Sequence, residues 1–345
     1  MAEITIETRE ASGQDTGSRF KETTYLEAIR EAMWEEMKTD PAVFIMGEDV
    51  GAYGGAFKVT EGFLDEFGSS RVIDTPISEA AIVGAAIGVA HMGFKPIVEM
   101  QFIDFIAPAF DMIVNFAAKV RYRTGVGASL VIRGPCGGGA HAGPFHSQNV
   151  ESYFANVAGL KMVAPATARD AKGLLRAAIR DPDPVLYFEH KFLYRRVKEM
   201  LPTEEEILVP LGVARTHRTG SDLTLVTYGA MVHKASDAAE RIAEEDGAQI
   251  EILDLRTLRP LDGEAIIQSV KRTGRVLIVH EAPRFGGFAG EITAQLCEEA
   301  FEFLDAPIRR VTALDTPIPY SPPLEDYYLP QTDDIVKASR WLLAY

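Results

Sequence analysis

The sequence predicts an α/β protein of two doubly wound domains, and three observations carry that prediction. Short apolar runs rich in β-branched residues alternate with segments of helical period. The alternation breaks at "KFLYRRVKEMLPTEEEILVPLG", where charges and prolines interrupt both periods. Beyond the break the same rhythm resumes. With 345 residues and 47% hydrophobic composition, the chain can fill two cores. The expected divisions are a polar arm over 1–22, a first domain over 23–190, a linker over 191–210 and a second domain over 211–345.

In the first domain, Thr24-Tyr-Leu-Glu27 has the spacing of a capping box. Leu26, Ile29, Met33 and Met37 then fall on one helical face until Asp40-Pro41 ends the helix. Strands are expected over 42–46, 71–75, 96–100, 129–133, 161–164 and 185–189, with helical segments between most of them. Such order implies a mainly parallel sheet covered on both faces. In the second domain the strands fall at 223–227, 250–254, 275–279 and 308–312, and the helices at 232–244, 262–270, 289–302 and 333–343.

The formal net charge of −15 opposes attraction to a phosphate backbone, so no nucleic-acid partner is expected. No apolar run approaches the ~18 residues of a membrane span, and the first residues lack the apolar core of a signal peptide. Cys136 and Cys297 stand far apart without metal-ligand spacing, which points to a reducing compartment, the cytoplasm by default.

One stretch, "RVIDTPISEAAIVGAAIGVAHMGFKPIVEMQF", places a carboxylate, Glu79, at the mouth of a run almost free of charge. A helix opened by Ser78 follows the turn at Pro76, and Gly84, Ala85, Ala86, Gly88 and Ala90 leave room for another backbone. Its even apolarity predicts burial on both sides, with Glu79 where water is scarce. Position alone leaves two readings level: a carboxylate that complements the helix macrodipole, or one with chemistry to do. No GxxxxGK[ST] is present, and the glycines of "RFGGFAGEI" do not make GxGxxG, so that loop is expected to pack a helix start against its sheet. "RGPCGGGAHAGPFHSQ" carries His141 and His146 on a glycine-rich loop. Such a loop brings backbone close to a ligand, or is simply a surface turn with hydrogen-bonded histidines.

Six blocks in order, "GEDVGAYGGAFKVTEGFLDEFG", "RVIDTPISEAAIVGAAIGVA", "PIVEMQFIDFIAPAFDMIVNFAAKVRYRTG", "FHSQ", "DAKGLLRAAIRDPDPV" and "HEAPRFGGFAGEI", closely resemble the β subunit of the thiamine-diphosphate-dependent 2-oxo acid dehydrogenase first component. The family includes the pyruvate, branched-chain 2-oxo acid and acetoin dehydrogenases. The resemblance implies a pyrimidine-binding fold followed by a transketolase C-terminal-like domain. It gives Glu79 the hydrogen bond to the cofactor's aminopyrimidine, Phe105 the stacking face, Ile77 a place in the same pocket and Glu48 a supporting acid behind it. His146 matches the histidine that handles protons and the lipoyl substrate. Pyruvate is the first-choice substrate, since "VTYGAMVH" and "YFEHKFLYR" look like bacterial pyruvate dehydrogenase; "HEAPRFGGFAGEI" leans toward the branched-chain enzyme.

The resemblance also implies a structural potassium site at Leu130, Ala178, Ile179, Asp181 and Asp183, for which an ordinary helix end with Pro182 and Pro184 as stops is the alternative. A hard cation beside a diphosphate needs oxygen ligands, which relatives supply from a GDG block and a following asparagine. This chain has no GDG, and Asn115, Asn149 and Asn156 are not placed to complete one. Mg²⁺ and the diphosphate half of the cofactor are therefore expected on an α subunit, within an α2β2 heterotetramer that serves a lipoyl acyltransferase core. The sequence departs from many relatives at "NVAG", where Asn156 stands in place of a second histidine and cannot carry a proton at neutral pH.

Overall fold

The computed structural model describes residues 19–345; most of the expected arm lies outside the described residues. Two compact units emerge, one of residues through Pro135 with Val157–Leu211, the other of Cys136–Asn156 with Gly212–Tyr345. The glycine-rich loop thus clusters with the C-terminal unit although it lies between first-unit strands in sequence.

The first unit starts with strand β1 (Phe20–Thr24), which pairs antiparallel with β8 (Lys198–Pro202). β8 falls within the expected linker and β1 straddles the expected end of the arm, because their mixed charged and polar residues give no apolar period to read. Helix α1 (Tyr25–Thr39) follows, and its capping box forms as the spacing predicts: Thr24 Oγ1 accepts from Glu27 N at 3.1 Å, and the Glu27 carboxylate accepts from Thr24 N at 2.8 Å. The chain continues through β2 (Val43–Gly47), α2 (Phe63–Phe67), β3 (Val72–Asp74), α3 (Glu79–His91), β4 (Lys95–Glu99), α4 (Val120–Thr124), β5 (Val131–Cys136), β6 (Lys161–Val163), α5 (Ala168–Arg180) and β7 (Val185–His190). In the sheet these strands lie in the order β6-β7-β5-β4-β2-β3. β2 runs parallel to β3 and β4, β4 to β5, and β6 to β7.

Every residue of β2, β5 and β7 is buried, as a parallel sheet covered on both faces requires. On one of those faces α1 and α5 pack together. Lys172 Nζ reaches Glu31 at 2.8 Å and Glu35 at 2.9 Å, and Arg180 grips Glu36 at 3.0 and 2.7 Å. Inside the sheet, Arg133 is buried between Glu99 and Glu189, and Tyr194 donates its hydroxyl to Glu189 at 2.6 Å. Burial pushes the Glu99 carboxyl up, against the pull of the Arg133 charge.

The second unit holds β9 (Arg215–Arg218), β10 (Leu223–Thr227), α6 (Met231–Asp246), β11 (Ile250–Asp254), the short β12 (Thr257–Arg259), α7 (Gly263–Thr273), β13 (Val276–Pro283), α8 (Phe288–Glu299), β14 (Arg309–Ala313), α9 (Pro322–Tyr328) and α10 (Thr332–Leu343). Its sheet runs β14-β13-β10-β11-β9, parallel except for the edge pair β11 and β9. At the start of α8, Gly287 lies against the His280 ring of β13, where an added Cβ would come within 2.5 Å of it. The "RFGGFAGEI" loop therefore packs a helix start against the sheet, as expected.

Candidate active site

At the end of β3, the Asp74 carboxylate accepts the N–H groups of Gly51 at 2.6 Å and Ala52 at 3.2 Å. It thereby ties down the loop after β2 that carries Glu48. Only glycine suits the contact at 51, because a Cβ there would sit 2.7 Å from Asp74 Oδ2. Asp49 is held in the left-handed region at φ 56°, a conformation that an ordinary side chain seldom adopts. Sequence reading missed Asp74 and Gly51; the aspartate that opens "DTPISE" was the available signal.

Partial burial, followed by the negative charges of Glu79 and Asp49, raises the Glu48 carboxyl above its ordinary range. The structure thus brings Glu48 and Glu79 together as a like-charged pair. Neither carboxylate meets a cation or an N–H donor among the described residues. Glu79 begins α3 behind Ser78, which occupies the cap position but makes no capping hydrogen bond.

Burial on both sides of α3, expected from its even apolarity, is not found among the described residues. Ile82, Val83, Ala86, Ile87 and Ala90 face the core, whereas Ala80, Ala81, Ala85 and Gly88 are exposed. Glu79 is half-buried and Ile77 is 82% exposed. The composition of a helix reports that both faces avoid charge; it does not say whether the second face is covered by the same polypeptide. Phe105 stands half-buried on a short 3₁₀ helix, Ile103–Ala109. A row of edge-on aromatic contacts sets its ring, from Tyr194 to Phe57 at 5.3 Å, Phe57 to Phe102 at 5.5 Å and Phe102 to Phe105 at 6.5 Å. A half-exposed aromatic face, an exposed aliphatic side chain and two carboxylates with open acceptor oxygens are each the kind of group that a flat, nitrogen-bearing ring would contact.

His146 belongs to the second unit, on the glycine-rich segment that follows β5. The loop is closed at its base by Gly137 N donating to Gln148 O at 3.1 Å, and His146 N donates to Gly143 O at 3.3 Å inside it. Left-handed conformations recur at Gly137 (φ 83°), Gly139 (φ 79°), His141 (φ 56°) and Gly143 (φ 73°). This alternation turns backbone N–H groups toward one side and makes a concavity for anions. The anions are the protein's own. Glu281 accepts from Gly138 N at 2.6 Å and from Asn149 Nδ2 at 2.9 Å, while Glu325 accepts from Gly139 N and His141 N, both at 3.1 Å. The glycines bring backbone to buried carboxylates rather than leaving it open to a ligand.

Nearby, the Tyr228 hydroxyl donates to buried Glu151 at 2.6 Å; burial raises the Glu151 carboxyl, and the Tyr228 donor opposes that rise. Asn156 is exposed at the end of this segment.

The residues named for potassium do come together in the first unit. Val185 N donates to Leu130 O at 3.0 Å, Asp181 N to Ala178 O at 3.2 Å and Ser129 Oγ to Asp181 O at 2.8 Å. Each of those carbonyls keeps a second lone pair, which suits a monovalent cation. Ile179 is buried beside them. The side chains of Asp181 and Asp183 are already engaged by Lys161 at 2.6 Å and Arg121 at 2.6 Å, so any ion here would rest on carbonyl oxygens.

Residues 21–197 match the transketolase pyrimidine-binding domain, and 212–335 match the transketolase C-terminal domain. A split-gene transketolase, described as an inactive β4 tetramer, shares the fold with a TM-score of 0.76 at 22% identity, over 93% of this chain and 98% of that one. Two domains of this class, a pyrimidine-binding unit followed by a C-terminal unit, therefore define the protein's architecture. Among curated proteins, the 2-oxoisovalerate dehydrogenase subunit beta of Bacillus subtilis is 49% identical over 93% of this chain and 99% of its own length. The pyruvate dehydrogenase E1 component subunit beta of Staphylococcus aureus is 44% identical over 93% and 99%. The mitochondrial pyruvate dehydrogenase E1 component subunit beta-1 of Arabidopsis thaliana is 46% identical over 95% and 92%. The chain belongs to the 2-oxo acid dehydrogenase E1 β-subunit family.

Proposed function

We propose that this chain is the pyrimidine-binding half of an enzyme that decarboxylates a 2-oxo acid and passes the acyl group to a lipoyl acyltransferase. The observation that carries the reading is the paired, donor-free acids Glu48 and Glu79 beside the open face of α3. Thiamine diphosphate, when bound, supplies a ring carbon that stabilises the negative charge left by loss of CO₂. Glu79 would hold or return a proton on its carboxyl oxygen at the edge of the aminopyrimidine. Glu48, raised by partial burial and by its like-charged neighbours, keeps a proton available to the pair at higher pH than an isolated acid would. Phe105 would stack on the ring and Ile77 would line it. His146 would move protons while the acyl group passes to the lipoyl sulfur.

The uncovered face from Ile77 to Gly88 and the lack of a GDG block both support a site shared with an α subunit that holds Mg²⁺ and the diphosphate. An α2β2 heterotetramer in the cytoplasm, with potassium on the carbonyls of Leu130, Ala178 and Asp181, completes the reading. Pyruvate remains the first candidate substrate. 2-Oxoisovalerate is the second, because the Bacillus subtilis relative named for it is 49% identical.

Co-expression with a GDG-bearing α subunit tests the assignment. The isolated chain should bind thiamine diphosphate and Mg²⁺ no more tightly than about 1 µM, roughly −8 kcal/mol. The complex should bind both tightly and release CO₂ from one of the two acids. Tight binding by the chain alone would overturn the shared site, and a complex inert toward both acids would overturn the reaction.

A further inference from the structure

We propose that Glu325 is a positioning residue: by holding both backbone and side chain of the glycine loop, it fixes the segment that presents His146. The inference deepens the reading above and rests on the role given there to His146.

Glu325 is fully buried on α9, and its two carboxylate oxygens divide the work. One accepts Gly139 N at 3.1 Å; the other accepts His141 N at 3.1 Å and meets His141 Nδ1 at 2.5 Å. A buried carboxylate without donors would be costly, so these contacts are what allow Glu325 to lie inside. They also hold His141 in its left-handed conformation, φ 56°, which a free loop would abandon.

Glu281 secures the stems of the same loop. Its Oε1 receives both Gly138 N at 2.6 Å and Asn149 Nδ2 at 2.9 Å, which joins the two limbs at one atom. Between stem and tip the loop has little freedom. An added Cβ at Gly138 would meet Leu329 Cδ1 at 2.9 Å, and one at Gly143 would meet the Tyr320 ring at 2.1 Å. With the tip held by Glu325 and the base by Glu281, His146 stands on the return limb, three residues past Gly143 and two before the closing Gln148. Its placement is therefore coupled to a carboxylate that grips the loop at Gly139 and His141.

Glutamine at 325 keeps the shape but replaces one acceptor oxygen by an NH₂ group, which opposes either Gly139 N–H or the His141 contacts. In the complete complex, Glu325→Gln should lower acyl transfer to lipoamide by roughly tenfold to a hundredfold, the scale of a small misplacement of a catalytic group. Decarboxylation measured with an artificial electron acceptor should change far less. A double-mutant comparison supplies the readout that mere loss of stability would not give: Glu325→Gln added to His146→Ala should cost almost nothing further, because the two act through one another.

If Glu325→Gln does not fold, His141→Gly serves instead, since it removes the imidazole from Glu325 and relaxes the backbone at an exposed position. It should show the same division between the two assays, with a smaller loss. Additive losses, or unchanged acyl transfer in a folded variant, would overturn the proposal while leaving the function intact. Unchanged acyl transfer in His146→Ala would instead overturn the role of His146 and the proposal with it.

Discussion

Glu48 and Glu79 in the first unit, and Glu281 and Glu325 in the second, are acids in opposite circumstances. The first pair has no N–H or cationic partner among the described residues, and partial burial, with repulsion from Glu79 and Asp49 added to it, raises Glu48. The second pair is buried at 6% and 0% exposure and is answered by backbone and side-chain donors. Full satisfaction marks a carboxylate as part of the scaffold. A carboxylate kept near another and given no donor costs stability, and that cost is understandable where a ligand is to provide the missing contact. The same distinction separates the surfaces: the glycine loop is packed against Leu329 and Tyr320, whereas Ala80, Ala81, Ala85 and Gly88 of α3 face outward.

The largest effect that sharpens this contrast is at Glu79. Glu79→Gln should leave assembly with the partner intact and slow activation of the cofactor by about 10²–10⁴, the range for loss of a positioned acid or base. Exchange of the thiazolium proton in the complex, followed by NMR, reads that step. A wild-type exchange rate would remove Glu79 from the chemistry and dissolve the contrast with the structural acids.

A middle-sized effect concerns a group that the second unit buries in neutral form. Burial lowers His280 from 6.5 to about 4, against the favourable contact of its Nδ1 with Ala282 O at 3.0 Å, and its Nε2 has no partner. The unfolded chain takes up this proton at higher pH than the folded one. Stability is therefore complete above 6.5 and falls as pH drops from 6.5 to about 4, by about 3 kcal/mol in all. Denaturant unfolding across that window should show the decline in the wild type and less of it in His280→Gln. Equal slopes in both would mean that His280 does not carry the loss.

The smallest effect tests the coupling itself. Removing the Glu79 charge should lower the Glu48 carboxyl toward its ordinary value near 4.5, because one of the negative charges that disfavour its ionisation is gone. Carboxyl-detected NMR titration of Glu79→Gln against wild type measures the change. No movement would show that the two acids are not a pair.

Much of the fold was legible in the chain because its signals are local. The box at Thr24 and Glu27 lies within one turn, and the buried strands of the sheets are short apolar runs that read the same in any context. Those local periods determined the element order, the α/β class and the position of Glu79 at a helix start. The lack of a GDG block, equally local, pointed to a partner. Strands β1 and β8 escaped notice because their side chains carry charge and their pairing joins residues far apart.

Tertiary structure alone decided how the functional loops are held. Glu281 and Glu325 reach the glycine loop across 132 to 186 residues of sequence, and the Gly51 contact with Asp74 spans 23. No window of sequence contains both ends of such a bond. Nor does composition say on which side a uniformly apolar helix is covered: α3 buries one face in its own unit, while Gly88 on the other face and Ile77 just before the helix are exposed. Periodicity is a property of neighbours along the chain, whereas solvation and charge coupling depend on what the fold brings near, and the raised carboxyl of Glu48 and the donors around Glu325 follow from the latter.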